Sequence, residues 1–316
     1  MLAHPQLDVP VPGLGRARLT ARLFGELTVR GGAVVLGPAD LGGAQPRRIL
    51  QALLVEAGST VSKDRLVAIL WPGGVPGGAV ATLETYVSVL RGRLRAAVGS
   101  QPLVRTAYRG YRIERRDVEV DLQVFTDLVE HARLAPPDLA ADLLDQAISM
   151  ANEPLLVSEP DAAWADDVRR AHAARMTDAL LAAALLAQDR GDVSAAVGFA
   201  ARVVAREPLN ESAWAVKIES LERAGRAAEA LAEYGVCRRV LAEELGCAPG
   251  PALQDTFRRL LRMTADDDVP GVVWPAALPT SGVVHEWAAW EWGGGRVNRG
   301  ASGRRPLTMH GGRRHS

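Results

Sequence analysis

Arg91, Arg93 and Arg95 alternate with other residues near the end of the run VATLETYVSVLRGRLRAAV, residues 80–98. Guanidinium groups at this density hold phosphates through charge and forked N–H donors. Just upstream, Glu84, Thr85 and Ser88 carry short polar side chains able to exchange hydrogen bonds with base edges. Arg105, Arg109 and Arg112 follow in RTAYRGYRIER, residues 105–115. The chemistry these residues suit is polyanion binding, with cations for affinity and polar groups for choice.

An element must present them on one side. Along residues 80–98 the apolar positions are Val80, Leu83, Tyr86, Val87, Leu90, Leu94 and Ala97, the rhythm of one buried helix face. At about 100° per residue the opposite face carries Ala81, Thr85, Ser88 and Gly92, flanked by Glu84, Val89 and the three arginines. That face is small at its centre and basic toward its end. A solvated amphipathic helix reads the same way, so the neighbours decide.

RLFGELTVR (22–30), Gly31-Gly32 and AVVLG (33–37) read as an antiparallel hairpin. Pro46 suits the first turn of a helix that runs through Val55 and stops at Gly58. Ser62 can cap the next helix, residues 63–70, which Trp71-Pro72 ends. The basic helix follows, and Gly99-Ser100 stops it. LVRTA (103–107) and GYRIER (110–115) form a second hairpin with Tyr108-Arg109 at its tip. Hairpin, helix, helix, basic helix, hairpin is a winged helix-turn-helix order, and the third helix is placed to enter a major groove.

Charge separates the chain into modules. Residues 18–116 hold 15 Lys and Arg against 6 Asp and Glu, a net of +9. Residues 117–264 hold 15 against 25, a net of −10, so the overall balance of zero conceals a basic module joined to an acidic one. The basic part points to nucleic acid and the acidic part to protein partners. In the acidic part Gly191 and Gly225, Ala196 and Ala230, Leu180 and Trp214, and Ala200 and Tyr234 all stand 34 residues apart. That period is the signature of tetratricopeptide-like helix pairs. Trp164, Trp214 and Tyr234 are then expected to pack between helices rather than to line a ligand groove.

RLFGELTVR, PRRILQALLVEAGSTVSKDRLVAILWPGG, TLETYVSVLRGRLR and RTAYRGYRI resemble the OmpR-type winged helix of the antibiotic regulatory protein family (SARP). Val89 and Gly92 depart from it, standing where the family often has arginine, as does Ala81, where it often has Asn. VEVDLQVFTDLVEHARL (118–134) and RAGRAAEALAEYGVCRRVLAEELGCAPGPALQDTFRRLL resemble the opening and close of its bacterial transcriptional activator domain. The fold expected is α+β, a winged helix-turn-helix domain followed by an all-α tetratricopeptide-like repeat domain. The domains are a flexible arm (1–17), the DNA-binding domain (18–116), the activator domain (117–264) and a disordered tail (265–316). The tail contains VVHEWAAWEW, a candidate for a brief partner-docking helix.

The resemblance implies an activator of a secondary-metabolite gene cluster that binds direct repeats in double-stranded promoter DNA and recruits RNA polymerase holoenzyme. Self-association on adjacent repeats is a further expectation. The alternative from another class is a tetratricopeptide adaptor that docks proteins through its basic module. An enzyme is not expected. The chain has no GxxxxGK[ST], GxSxG or HExxH motif, and Cys237, Cys247 and the six histidines show no metal-ligand spacing. No cofactor or metal is expected. With no signal peptide and no apolar run near 18 residues, a cytoplasmic, nucleoid-associated protein is expected.

Overall fold

The structure, a computed structural model, describes residues 19–99 and 101–266. The expected arm, and the tail beyond Asp266 with its VVHEWAAWEW segment, lie outside the described residues.

Two small sheets frame three helices. The first sheet has the order β3-β2-β1-β7, with β1 Leu19–Arg22, β2 Thr28–Gly31, β3 Val34–Leu36 and β7 Val118–Val120. β1 and β2 are antiparallel, whereas β7 lies parallel to β1, pairing Leu19 with Val118 and Ala21 with Val120. Residues 22–30 are therefore not one strand, as their apolar character suggested. Leu23–Leu27 form a turn whose Leu23, Phe24 and Leu27 are all buried. Buried backbone needs partners. The Asp121 carboxylate accepts from the Leu23 N–H (2.8 Å) and the Phe24 N–H (3.0 Å), while the Gly25 N–H donates to the Pro154 carbonyl. Burial pushes the Asp121 pKa up, against the pull of those N–H donors.

Helices α1 (Ala44–Val55), α2 (Lys63–Leu70) and α3 (Ala79–Val98) follow. The Ser62 hydroxyl accepts from the Arg65 N–H at 3.1 Å, so α2 starts where its cap was read. α3 buries Ala79, Leu83, Val87, Leu90 and Leu94 against α1 and α2. Val80, expected in that stripe, is instead exposed. The second sheet has the order β4-β6-β5, from Thr60–Ser62, Gly110–Arg112 and Arg105–Ala107. Its β5-β6 hairpin is the wing, and its register to β4 pairs Val61 with Tyr111.

Seven helices complete the described chain: α4 (Asp121–Ala132), α5 (Pro137–Met150), α6 (Ala163–Asp189), α7 (Val193–Arg206), α8 (Glu211–Arg223), α9 (Ala227–Leu245) and α10 (Pro251–Asp266). The 34-residue period falls on this architecture as read. Gly191 and Gly225 take left-handed conformations (φ 73° and 70°) at the α6–α7 and α8–α9 turns. Leu180, Ala196, Ala200, Trp214, Ala230 and Tyr234 are all buried. The Trp214 indole donates to the Pro208 carbonyl (2.9 Å), and Tyr234 stacks on Phe257 at 4.4 Å. Trp164 is half-buried.

One apolar core runs from Leu19 through the wing-bearing region into α4–α7. Phe24, Phe125 and His172 meet within it, with ring centroids 4.8–6.3 Å apart. Glu159, its side chain wholly buried, takes a hydrogen bond from Arg48 (2.7 Å) and faces Arg47 at 3.9 Å. The helices before and after the wing thus share one interior.

Candidate nucleic-acid interface

The outer face of α3 is built from below by its leucine stripe. With Leu83, Leu90 and Leu94 turned inward, Ala81, Thr85, Ser88, Gly92, Arg93 and Arg95 are turned outward and exposed. A Cβ added at Gly92 would meet nothing within 4 Å. Among the described residues neither Arg93 nor Arg95 has a carboxylate partner. The Thr85 hydroxyl donates to the Ala81 carbonyl one turn back (3.0 Å), which leaves its oxygen lone pairs facing out as acceptors. Val89 is partly exposed at the edge of this face.

Two of the residues expected on the outside are tied into the protein. Glu84 accepts from Lys63 Nζ at 2.5 Å. That hydrogen bond, then the carboxylate charge, raises the Lys63 pKa. Arg91 is half-buried. Its Nε donates to the Val104 carbonyl and its Nη2 to Thr106 Oγ1, both at 2.9 Å, and its guanidinium lies 5.7 Å from the Tyr111 ring centre.

The wing arginines divide likewise. Arg105 pairs with Asp117 at 2.5 Å and approaches Glu114 at 4.0 Å, and Arg112 pairs with Glu114 at 2.8 Å. Arg109 sits at the hairpin tip in a left-handed conformation (φ 57°). Its side chain is 73% exposed, with Asp64 3.9 Å away. Tyr108 beside it is 91% exposed. At Gly110 a Cβ would fall 2.2 Å from the Val61 carbonyl oxygen, so only glycine lets β6 approach β4 this closely.

Lys63 and Tyr108 were not among the sequence candidates. Tyr108 had a signal, its place at the tip of a predicted hairpin. Lys63 had none, because its partners come from α3 and the wing. Its N–H donates to the Arg109 carbonyl at 2.9 Å, and its ammonium lies 5.9 Å from the Tyr111 ring. Among the described residues no group of three or more His, Cys, Asp or Glu is placed to hold a metal, and no helix is long and apolar enough to cross a membrane.

The fold is thus a winged helix with an uncovered third helix, joined to stacked helical pairs. Residues 120–261 match the bacterial transcriptional activator domain. The chain is 34% identical to the regulatory protein AfsR of Streptomyces griseus over 76% of its own length and 25% of AfsR. It is 28% identical to the regulatory protein DnrI of Streptomyces peucetius over 74% of itself and 89% of DnrI. Among solved structures, Mycobacterium tuberculosis EmbR in complex with a low affinity phosphopeptide superposes with a TM-score of 0.67 at 27% identity. That match covers 78% of this chain and 65% of EmbR. The chain is similar to the antibiotic regulatory protein family of transcriptional regulators, to which these relatives belong. It spans only about a quarter of the AfsR relatives' length.

Proposed function

We propose that this protein is a sequence-specific DNA-binding transcriptional activator of a secondary-metabolite gene cluster. Residues 18–116 bind direct repeats in promoter DNA, and residues 117–264 bring RNA polymerase to the promoter. The observation that carries this reading is the outer face of α3. It is small and polar at Ala81, Thr85 and Ser88, basic at Arg93 and Arg95, and covered by no described part of the chain. A surface of this shape lies close against a groove, and its charge suits phosphates.

The roles divide by what each residue touches. Thr85 and Ser88 face base edges. Arg93, Arg95 and the wing-tip Arg109 hold phosphates or the minor groove. Glu84, Arg105 and Arg112 stand at the margin with their charges met inside the protein, so they contribute to DNA only by exchanging partners. The similarity to AfsR and DnrI supports the regulatory role. Two linked contacts, one to DNA and one to polymerase, reinforce each other through effective concentration, as would a second copy on an adjacent repeat.

The test uses the full chain, because β7 and α4 complete the fold of the winged helix. Selection from a random duplex library should recover one motif, repeated in tandem. Placed before a promoter, it should give transcription with purified polymerase that depends on the protein. A library returned without enrichment would sink the DNA-binding reading. Enrichment without activation would sink the polymerase step alone.

A further inference from the structure

We propose that Arg91 is a positioning residue, which acts on DNA through the wing rather than by holding a phosphate itself. The inference rests on the DNA-binding reading above and names how one of its arginines works.

Three observations converge on it. First, the Arg91 side chain is tied into the protein by two hydrogen bonds. Nε and Nη2 are directed to two residues of the strand leading into the wing, Val104 and Thr106, at 2.9 Å each. A guanidinium holding two acceptors at fixed angles is a bracket, because its plane and direction are set by the wing rather than by a phosphate. Second, Tyr111 of the returning strand lies between two cations, with Arg91 5.7 Å and Lys63 5.9 Å from its ring centre. Each contact is attractive, and together they fix the ring relative to both α2 and α3. Third, Lys63 closes the other side. Its N–H holds the Arg109 carbonyl at 2.9 Å, and its ammonium holds Glu84 of α3 at 2.5 Å. The wing is therefore bracketed from α3 by Arg91 and from α2 by Lys63.

The consequence is geometric. The tip, Tyr108-Arg109, is the exposed end of a short hairpin, and its place relative to Thr85 and Ser88 is set by this bracket. Major-groove and wing contacts can be made together only if that offset is kept. Loss of Arg91 should then cost what the wing tip contributes and no more.

The experiment compares Arg91→Lys, Arg91→Ala, Arg109→Ala and the double alanine variant in the full chain. The probe is a duplex selected by the wild-type protein. Arg109→Ala should lower affinity by about tenfold and reduce the salt slope by about 1. Arg91→Ala should match it, and the double variant should fall within about twofold of Arg109→Ala alone. Arg91→Lys should behave as the alanine variant, because a lysine keeps the charge but cannot bracket two acceptors. A merely structural residue would lower Tm without this non-additivity, and a phosphate-holding residue would tolerate lysine. Losses that multiply, or a lysine variant equal to wild type, would overturn the proposal. Amide exchange in the free protein provides the arm that needs no DNA. In Arg91→Ala the amides of Thr106 and Tyr111 should exchange at least about tenfold faster, with α1 and α6 unchanged. Unchanged wing exchange overturns the bracket. If the wild type selects no duplex, the DNA-binding reading fails and this arm alone decides whether the bracket exists.

Discussion

Small residues line two regions of this molecule and mean different things in each. In the repeat helices Ala184, Ala196, Ala200 and Ala230 are completely buried. They are small because another helix of the same chain crosses there, and a larger side chain would push it away. On α3, Ala81, Ser88 and Gly92 are exposed. No described part of the chain covers them, so internal packing does not explain their size. What differs is whether the molecule itself fills the space above the residue. A filled space accounts for a small residue by stability, and an open one asks for a partner. That contrast separates the scaffold from the candidate interface.

Enlarging one residue in each region tests the contrast where its effect is greatest. Ala200→Leu, forced against Ala184 and Val216, should lower stability by about 1–3 kcal/mol. Ser88→Leu should stay within about 0.5 kcal/mol of wild type in the same denaturant melts. Equal losses would mean that α3 is covered after all.

A second prediction separates residues within the open face. Thr85→Ala should change preference at one base position by about 1–3 kcal/mol. Arg95→Ala should weaken binding evenly across sequences and reduce the salt slope by about 1. Identical profiles across a site library would refute the division into reading and holding residues.

The closed region makes its own prediction about pH. His172 lies against Phe24 and Phe125, and burial, with Arg175 and Arg206 nearby, lowers its pKa from 6.5 to about 4. The folded state therefore favours the neutral ring. The stability this gives is present above about pH 6.5 and is lost as pH falls toward 4. His172→Phe should remove that part of the pH dependence. Melts of wild type and variant that change in parallel between pH 7 and pH 4.5 would refute it. The smallest effect expected is at Gly92, where alanine should stabilise α3 by about 1 kcal/mol or less, measured by thermal melting. A destabilised Gly92→Ala would show a hidden contact.

Much of this was legible locally. Ser62, Trp71-Pro72 and the glycine pair Gly191 and Gly225 mark element ends through backbone chemistry that acts over a few residues. The α3 faces followed from periodicity, because Leu83, Leu90 and Leu94 leave one side for Thr85 and Ser88. Long-range pairing was not legible. β7 joins β1 through partners far away in the chain, and Asp121 caps a turn 98 residues earlier. The apolar Leu23–Leu27 turn looked like a strand because its burial depends on α4 and Pro154–Leu156. For the same reason the arginines could be listed from sequence but not sorted. Whether a guanidinium is occupied, as in Arg91 and Arg105, or open, as in Arg93 and Arg95, depends on neighbours that only the fold brings together.

The central claim is that the uncovered face of α3 meets DNA. It is tested most directly by equilibrium binding of the wild-type chain and Ser88→Leu to a selected duplex from about 50 to 200 mM salt. Wild-type affinity should fall over that range, by about fortyfold if the three phosphates assigned to Arg93, Arg95 and Arg109 are engaged. Ser88→Leu, folded as well as wild type, should bind at least about a hundredfold more weakly throughout, the equivalent of about 2.7 kcal/mol. A flat salt response, or a Ser88→Leu protein that binds as tightly as wild type, would contradict the account.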